Sequence, residues 1–327
     1  MSNVEFRKAL YLVFDRESFV ENVRPNVKPS GVFLTDLYQV TEEANESYRE
    51  TEAAKNALRA AGLTESAIEN HGFDLQEAQK LFNKVYEELK AEGKLIENKV
   101  YIEVVLFDAE SNRLIGRWAK AQIEEAFGKE RIEVVERYTS EDGTYEAWDT
   151  KDFDLTFSGW QGMQFNPAGL LAAVYSSLNS PDTMLEGAQT HDLEVRANLK
   201  NFKTYVEKKG ASATEEEKKI VAQLDAEGNW VGILDYPANG ENVEEMKYKA
   251  IALLIELPSF VPNYEGKKDD FASITAGIEA TIVGAYIAAP LFQSVGAAIY
   301  SERVEFAIPE YHTWLGWGGL LYRSLRK

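Results

Sequence analysis

The sequence predicts a mixed α/β fold in which helices flank a sheet and the second half is largely helical. Three observations predict it. The β-branched and aromatic runs KVYIEVVLFD (99–108) and RIEVVERY (131–138) bracket an amphipathic segment at 111–128, a strand–helix–strand unit. A third run, DFDLTFS (152–158), sets Phe153, Leu155 and Phe157 against Asp152, Asp154, Thr156 and Ser158, the period-two pattern of a half-buried strand. Farther on, 190–210, 214–228, 242–258 and 271–285 carry apolar residues at helical spacing. Such α/β layering implies a right-handed crossover between the first two strands.

The elements follow in order. Phe6, Leu10, Val13 and Phe14 recur at helical spacing, and Asp15 is placed to cap a second short helix from Arg16. Its carboxylate would accept amide protons that lack intrahelical partners. Residues 26–38, which follow Pro25 and contain Pro29 and Gly31, read as extended loop. A helix over 43–62 ends on Gly62; another over 74–93 aligns Leu75, Ala78, Leu81, Phe82 and Val85 and ends on Gly93. Ser111 or Asn112 caps the helix between the first two strands, and a short helical insert separates the second strand from the third. Pro167 opens the next helix at its favoured first position. Turn signals make 228–242 a loop. The apolar run 280–292 contains Pro290 and is shorter than the ~20 residues that span a bilayer, so it reads as a buried helix running into a strand. The tail beyond it is extended, aromatic and glycine-rich.

Composition excludes several functions. With 35 basic and 54 acidic residues in 327, the net charge of −19 repels phosphate backbones, so nucleic acid is not an expected partner. Cysteine is absent, which removes disulfides, thiolate metal sites and cysteine nucleophiles. His71, His191 and His312 lie far apart, and no metal site or cofactor is predicted; G-x-G-x-x-G, the phosphate-binding P-loop and G-x-S-x-G are all missing. No catalytic residue is assigned. Carboxylates are numerous enough that a glycosidase pair drawn from distant strands stays open, but Asp152 and Asp154 read as turn capping or surface charge.

Parallel sheets gather ligands beyond the carboxyl ends of their strands. Trp160 stands there between Gly159 and Gly162, with Tyr138, Tyr145, Trp148 and Phe165 near it in sequence. Aromatic rings offer broad apolar faces with a polar edge. Trp160 is read as a ligand contact that the glycines let backbone approach, whereas Trp148 and Tyr145 are read as core plugs. The candidate ligand-binding set is Tyr138, Trp160, Gln161, Gly162, Met163, Phe165 and Asn166.

Three ordered pieces carry a family resemblance. FRKALYLVFDRESFVENV resembles the V-R-x-A-L-x-x-A-I-D-R helix of the family 5 (oligopeptide, dipeptide and nickel) solute-binding proteins of ABC importers, with Phe6 in place of valine. AKNALRAAG (54–62) resembles the K-A-x-x-L-L-x-x-A-G helix that follows. The stretch from VYIEVVLFD to FSGWQGMQFNPAGLL resembles the part of the family ending in F-D-x-x-x-x-G-W-x-x-D-Y-x-D-P, and YIAAPLF (286–292) its I-P-L strand. The chain is similar to the C-terminal part of such proteins. The resemblance implies a type II periplasmic-binding-protein-like lobe, with 1–290 as the ligand-binding lobe and 291–327 returning toward an N-terminal lobe. It implies an oligopeptide held between lobes without chemistry and an ABC permease as partner. It also implies an extracellular, cell-surface lipoprotein whose signal and lipidated cysteine lie outside this chain. One departure matters: Met163 stands where the family's aspartate pairs with the peptide α-amino group. A thioether cannot neutralise an ammonium, so another acid supplies the charge, or the ligand is N-blocked, longer, or not a peptide. An oligosaccharide-binding member and an extracellular glycoside hydrolase are the alternatives.

Overall fold

The computed structural model describes residues 2–40, 46–159, 167, 169–171, 193–234, 249–251, 253–254 and 263–294, with the strand segments 304–306, 311–312, 316–317 and 323–325. Helices α1 (Val4–Val13) and α2 (Arg16–Asn22) precede strand β1 (Val27–Pro29), and α3 (Glu52–Ala60), α4 (Glu65–Glu69) and α5 (Leu75–Ala91) follow. Next come β2 (Val100–Phe107), α6 (Glu110–Phe127), β3 (Ile132–Thr139), α7 (Glu141–Thr150) and β4 (Leu155–Thr156). The remainder comprises β5 (Glu194–Asn198), α8 (Lys200–Lys209), α9 (Glu215–Val221), β6 (Asn229–Ile233), α10 (Lys267–Ala285) and β7 (Phe292–Ser294), then β8 to β11 at the four later segments.

Local chemistry sets the helix starts. The Asp15 carboxylate accepts the Ser18 amide proton at 3.0 Å, and Asp74 does the same for Glu77 at 3.1 Å. Helices α1 and α5 pack together, and Phe82 of α5 stacks on Phe127 of α6 with centroids 4.3 Å apart.

Strands β3, β2 and β4 form a parallel sheet in that order. Its register places Ile102, Val104 and Leu106 beside Val134, Glu136 and Tyr138 on one face. That face joins the core built from α1, α2, α5 and α6 around Trp118, Ile123 and Phe127. Buried Glu124 ties α6 to β3: its carboxylate accepts the Val134 amide proton at 3.0 Å and pairs with Lys120 at 2.7 Å. A second core gathers β5, β6, α8, α9, Leu170, Leu171, Ala250, Ile251, Leu253 and Leu254. Helix α10 serves both cores, with Phe271, Ile274, Ile278 and Ile282 in the second and Val283 in the first. Among the described residues no helix is long and apolar enough to cross a membrane; α10 ends at Ala285 and β7 begins at Phe292, the predicted helix-to-strand passage.

Several expected boundaries move. The helix of 43–62 starts only at Glu52, because Thr51 caps it through the Ala54 amide (3.1 Å) after a 3-10 turn at Tyr48–Glu50. Neither Ser111 nor Asn112 caps α6; it begins at Glu110, and the Asn112 side-chain amide donates to the Phe107 carbonyl at 3.0 Å. The helix over 190–210 splits: Val195 and Ala197 alternate inward on β5, which pairs antiparallel with β6, and only α8 is helical. Strand β6 therefore occupies the start of the expected loop 228–242, with Trp230 fully buried. In the extended segment 26–38, β1 pairs antiparallel with β7. Helix α4, started by Thr64, was not expected at all.

Candidate functional site

The three parallel strands end on one edge. Beyond β2, the Asp108 amide donates to the Thr139 carbonyl at 2.8 Å, binding the ends of β2 and β3 together. The Asp108 carboxylate grips Arg113 of α6 through both oxygens, at 2.7 and 2.9 Å, a bidentate geometry. Ser140 then caps α7 by accepting the Gly143 amide proton at 3.1 Å, and the Thr139 and Thr144 hydroxyls meet at 2.7 Å. Phe107 is 41% exposed on this edge, and Ser158 and Gly159 are exposed past the end of β4.

Tyr138 lies on the α6 face. Its hydroxyl donates to the Glu136 carboxylate, and the Arg113 guanidinium sits 4.4 Å from its ring centroid. Partial burial, then the hydrogen bond to Glu136, pushes the Tyr138 phenol up to about 12. Gly116 of α6 allows this packing, since a Cβ there would stand 2.7 Å from the Tyr138 hydroxyl.

Trp148 occupies the other face. Its Nε1 donates to Thr156 Oγ1 at 2.9 Å, and that hydroxyl donates to the Val105 carbonyl at 2.8 Å. Tyr145 leans edge-on against Trp148 at 5.3 Å but is 52% exposed, so it does not plug the core as expected. Its place on the outer side of α7 keeps the ring in solvent. The aromatic residues adjacent in sequence are thus divided by the sheet. Leu155 and Phe157 do pack on the first core, as the alternation predicts, while the Asp154 carboxylate accepts the Glu103 amide proton at 3.0 Å and Asp152 pairs with Arg137 at 3.1 Å.

Trp160, Gln161, Gly162, Met163, Phe165 and Asn166 lie outside the described residues. Pro167 and residues 169–171 are helical, and Leu170 and Leu171 are buried in the second core. The chain therefore leaves the first core at β4 and has entered the second by Leu170. Sequence reasoning passed over Asp108, although its position directly after the end of β2 was the available signal, and with it Thr139 at the end of β3 and Arg113 within α6. A cavity of about 200 Å³ lined by Tyr11, Ser30, Lys55, His71 and Gly72 shares no residue with this edge. Among the described residues, no three metal-ligating side chains converge.

The family model for bacterial extracellular solute-binding proteins, family 5 Middle, matches residues 1–182, more than half of the chain and all of the parallel sheet. The chain belongs to this family. A peptide-binding protein of a peptide ABC transporter superposes with a TM-score of 0.51 at 14% identity, covering 90% of this chain and 92% of that one. Haemophilus influenzae OppA in complex with RPPGFSPFR gives 0.48 at 14% identity over 99% of this chain and 46% of its own. NikA from Brucella suis in complex with Fe(III)-EDTA gives 0.48 at 12% over 91% and 45%. This family 5 chain thus spans nearly the whole of the first structure and under half of the other two. No curated protein matches it.

Proposed function

We propose that the chain binds an oligopeptide at the carboxyl edge of β2, β3 and β4 and presents it to an ABC permease, with no bond made or broken. The observation that carries this reading is the family 5 match over 1–182, which contains the entire edge. Exposed Phe107 next to the Asp108–Arg113 pair, with Tyr145 exposed on α7, offers the apolar and polar contacts an extended peptide needs. Such ligands are held largely through main-chain hydrogen bonds, which tolerate varied side chains. Tyr138, Trp160, Gln161, Gly162, Met163, Phe165 and Asn166 are the proposed contacts. Residues 1–290 act as the ligand-binding lobe, and 291–327 run toward an N-terminal lobe in cis that closes over the ligand. The intact protein would sit at the cell surface as a lipoprotein.

Isothermal titration of the chain, and of the chain joined to its N-terminal lobe, against RPPGFSPFR and mixed tetra- to hexapeptides tests the reading. Heat with the joined protein is expected; absence of heat with every peptide overturns it. Met163 favours a second reading, an oligosaccharide ligand, because a thioether leaves a peptide ammonium without a counter-charge. Heat with cello-oligosaccharides and none with peptides would select it.

A further inference from the structure

We propose that Phe292 is a positioning residue for the carboxyl edge, holding the end of β4 from behind through Phe157. The importance of that edge rests on the ligand-binding reading above; the contact itself does not. Strand β4 is weakly held by its backbone. It pairs with β2 through Leu155 and Thr156, preceded by the Asp154 amide donating to the Glu103 carbonyl at 3.2 Å, whereas β3 pairs with β2 along all 8 residues. Past Thr156, the placement of Ser158 and Gly159 falls to the packing of Phe157.

Phe157 stacks on Phe292, with centroids 6.4 Å apart and planes 25° apart. Phe292 in turn stacks on Phe19 of α2 at 5.7 Å and 12°, with the Arg24 guanidinium 4.8 Å from its ring centroid. The column continues from Phe19 to Trp118 of α6, edge-on at 4.9 Å. Four segments distant in sequence therefore join along one column, and three of them meet at the Phe292 ring.

The approach to that ring is fixed by a separate set of bonds. Arg16, 1% exposed, donates Nε to the Pro290 carbonyl at 3.1 Å and Nη1 to the carbonyls of Tyr11 and Phe14 at 2.8 and 2.7 Å. The Ser30 amide donates to the Leu291 carbonyl at 3.3 Å, and Phe292 lies opposite Pro29 in the β1–β7 pair. Phe292 is thus anchored on one side and presents its ring to a strand end that has few bonds of its own. Movement of β7 would be transmitted to the edge through the Phe157–Phe292 contact.

Hydrogen–deuterium exchange on the full chain tests this. Phe292→Leu keeps apolar volume but abolishes the stack, and amides of 155–159 are expected to exchange about tenfold faster, the scale of one lost aromatic pair. Phe292→Tyr, which keeps the ring, should restore wild-type exchange there. Phe202→Leu, a control in the second core, should leave 155–159 unchanged. Equal exchange in wild type and Phe292→Leu, or equal acceleration by Phe202→Leu, overturns the proposal. If Phe292→Leu fails to fold, Phe157→Leu removes the same contact from its other ring, with the same expectation and the same refutation at 158–159. Titration of RPPGFSPFR and the mixed peptides into the chain joined to its N-terminal lobe separates the two readings. Absence of heat with every peptide overturns the ligand assignment, whereas unchanged exchange overturns the role of Phe292.

Discussion

Replacing Asp270 by asparagine isolates one buried carboxyl whose ionisation should tilt the pH dependence of stability. Asp270 lies in the first turn of α10 and is 1% exposed. Its Oδ2 accepts the Phe202 amide proton at 2.6 Å and the Tyr264 hydroxyl at 3.1 Å, while Oδ1 accepts from the Asn201 side-chain amide at 2.9 Å. Helix α8 has no side-chain cap of its own at Leu199, so a residue of α10 supplies the missing acceptor. Burial outweighs these donors and pushes the Asp270 carboxyl up to about 6 from its ordinary 3.8. With the folded value above the unfolded one, this group's stabilisation is fully present below 3.8 and is lost as pH rises through 6. The whole effect is about 3 kcal/mol, of which about 1 kcal/mol disappears between pH 5 and pH 7. Asparagine does not titrate, and its amide nitrogen must face a donor, which costs about 1–3 kcal/mol. Urea unfolding at pH 5, 6 and 7 should therefore show Asp270→Asn less stable than wild type at pH 5, with the gap narrowing by about 1 kcal/mol toward pH 7. Parallel profiles would refute the reasoning. A gap that widens with pH would show that the donors, not burial, control this carboxyl.

Three further outcomes are expected. A Cβ at Gly31 would stand 2.1 Å from the His71 carbonyl oxygen, so Gly31→Ala should cost about 2 kcal/mol or more in thermal unfolding; no loss would mean that the 71–72 turn yields freely. Trp148→Phe removes the donor to Thr156 and should cost about 1 kcal/mol. A cycle with Thr156→Val should show the two substitutions coupled, and strict additivity would deny the contact. Thr214 and Glu217 form a reciprocal capping box at the start of α9, so Thr214→Ala should lose about 1 kcal/mol by urea denaturation, and an unchanged midpoint would dismiss the cap.

What could be read in the sequence divides by the range of the forces involved. Asp15 and Asp74 announce helix starts through amides three residues away, and both caps form. The β2–α6–β3 unit was legible because its apolar periodicity switches cleanly from two to a helical repeat and back. Strands β1, β5 and β6 were not, because each has 3 or 5 residues and is made a strand by its partner. In 190–210 the short alternation of β5 adjoins a true helix, and its apolar residues also satisfy a helical spacing. Only pairing with β6 decides between the two. Thr51 shows the opposite case: the cap was present in the sequence, but the run of helix formers before it hid the boundary.

The strand ends that frame the candidate site were legible, and the arrangement of side chains around them was not. Strand ends can be located from pattern alone, and the edge lies where β2, β3 and β4 stop. Tyr138, Tyr145 and Trp148 are close in sequence near the strand ends, yet the register sets Tyr138 beside Leu106 and ties Trp148 to Thr156, the neighbour of Val105. Successive strand residues face opposite ways, so these rings lie across the sheet from one another. Parity along β3 carried that information: Val134, Glu136 and Tyr138 share a face, and Val134 is buried. On the proposed reading, Tyr138 is a contact on the α6 face, under the Arg113 guanidinium, whereas a small ligand over α7 stays on the Trp148 face. A ligand touching both must run across the strand ends, as an extended chain does and a compact ion does not.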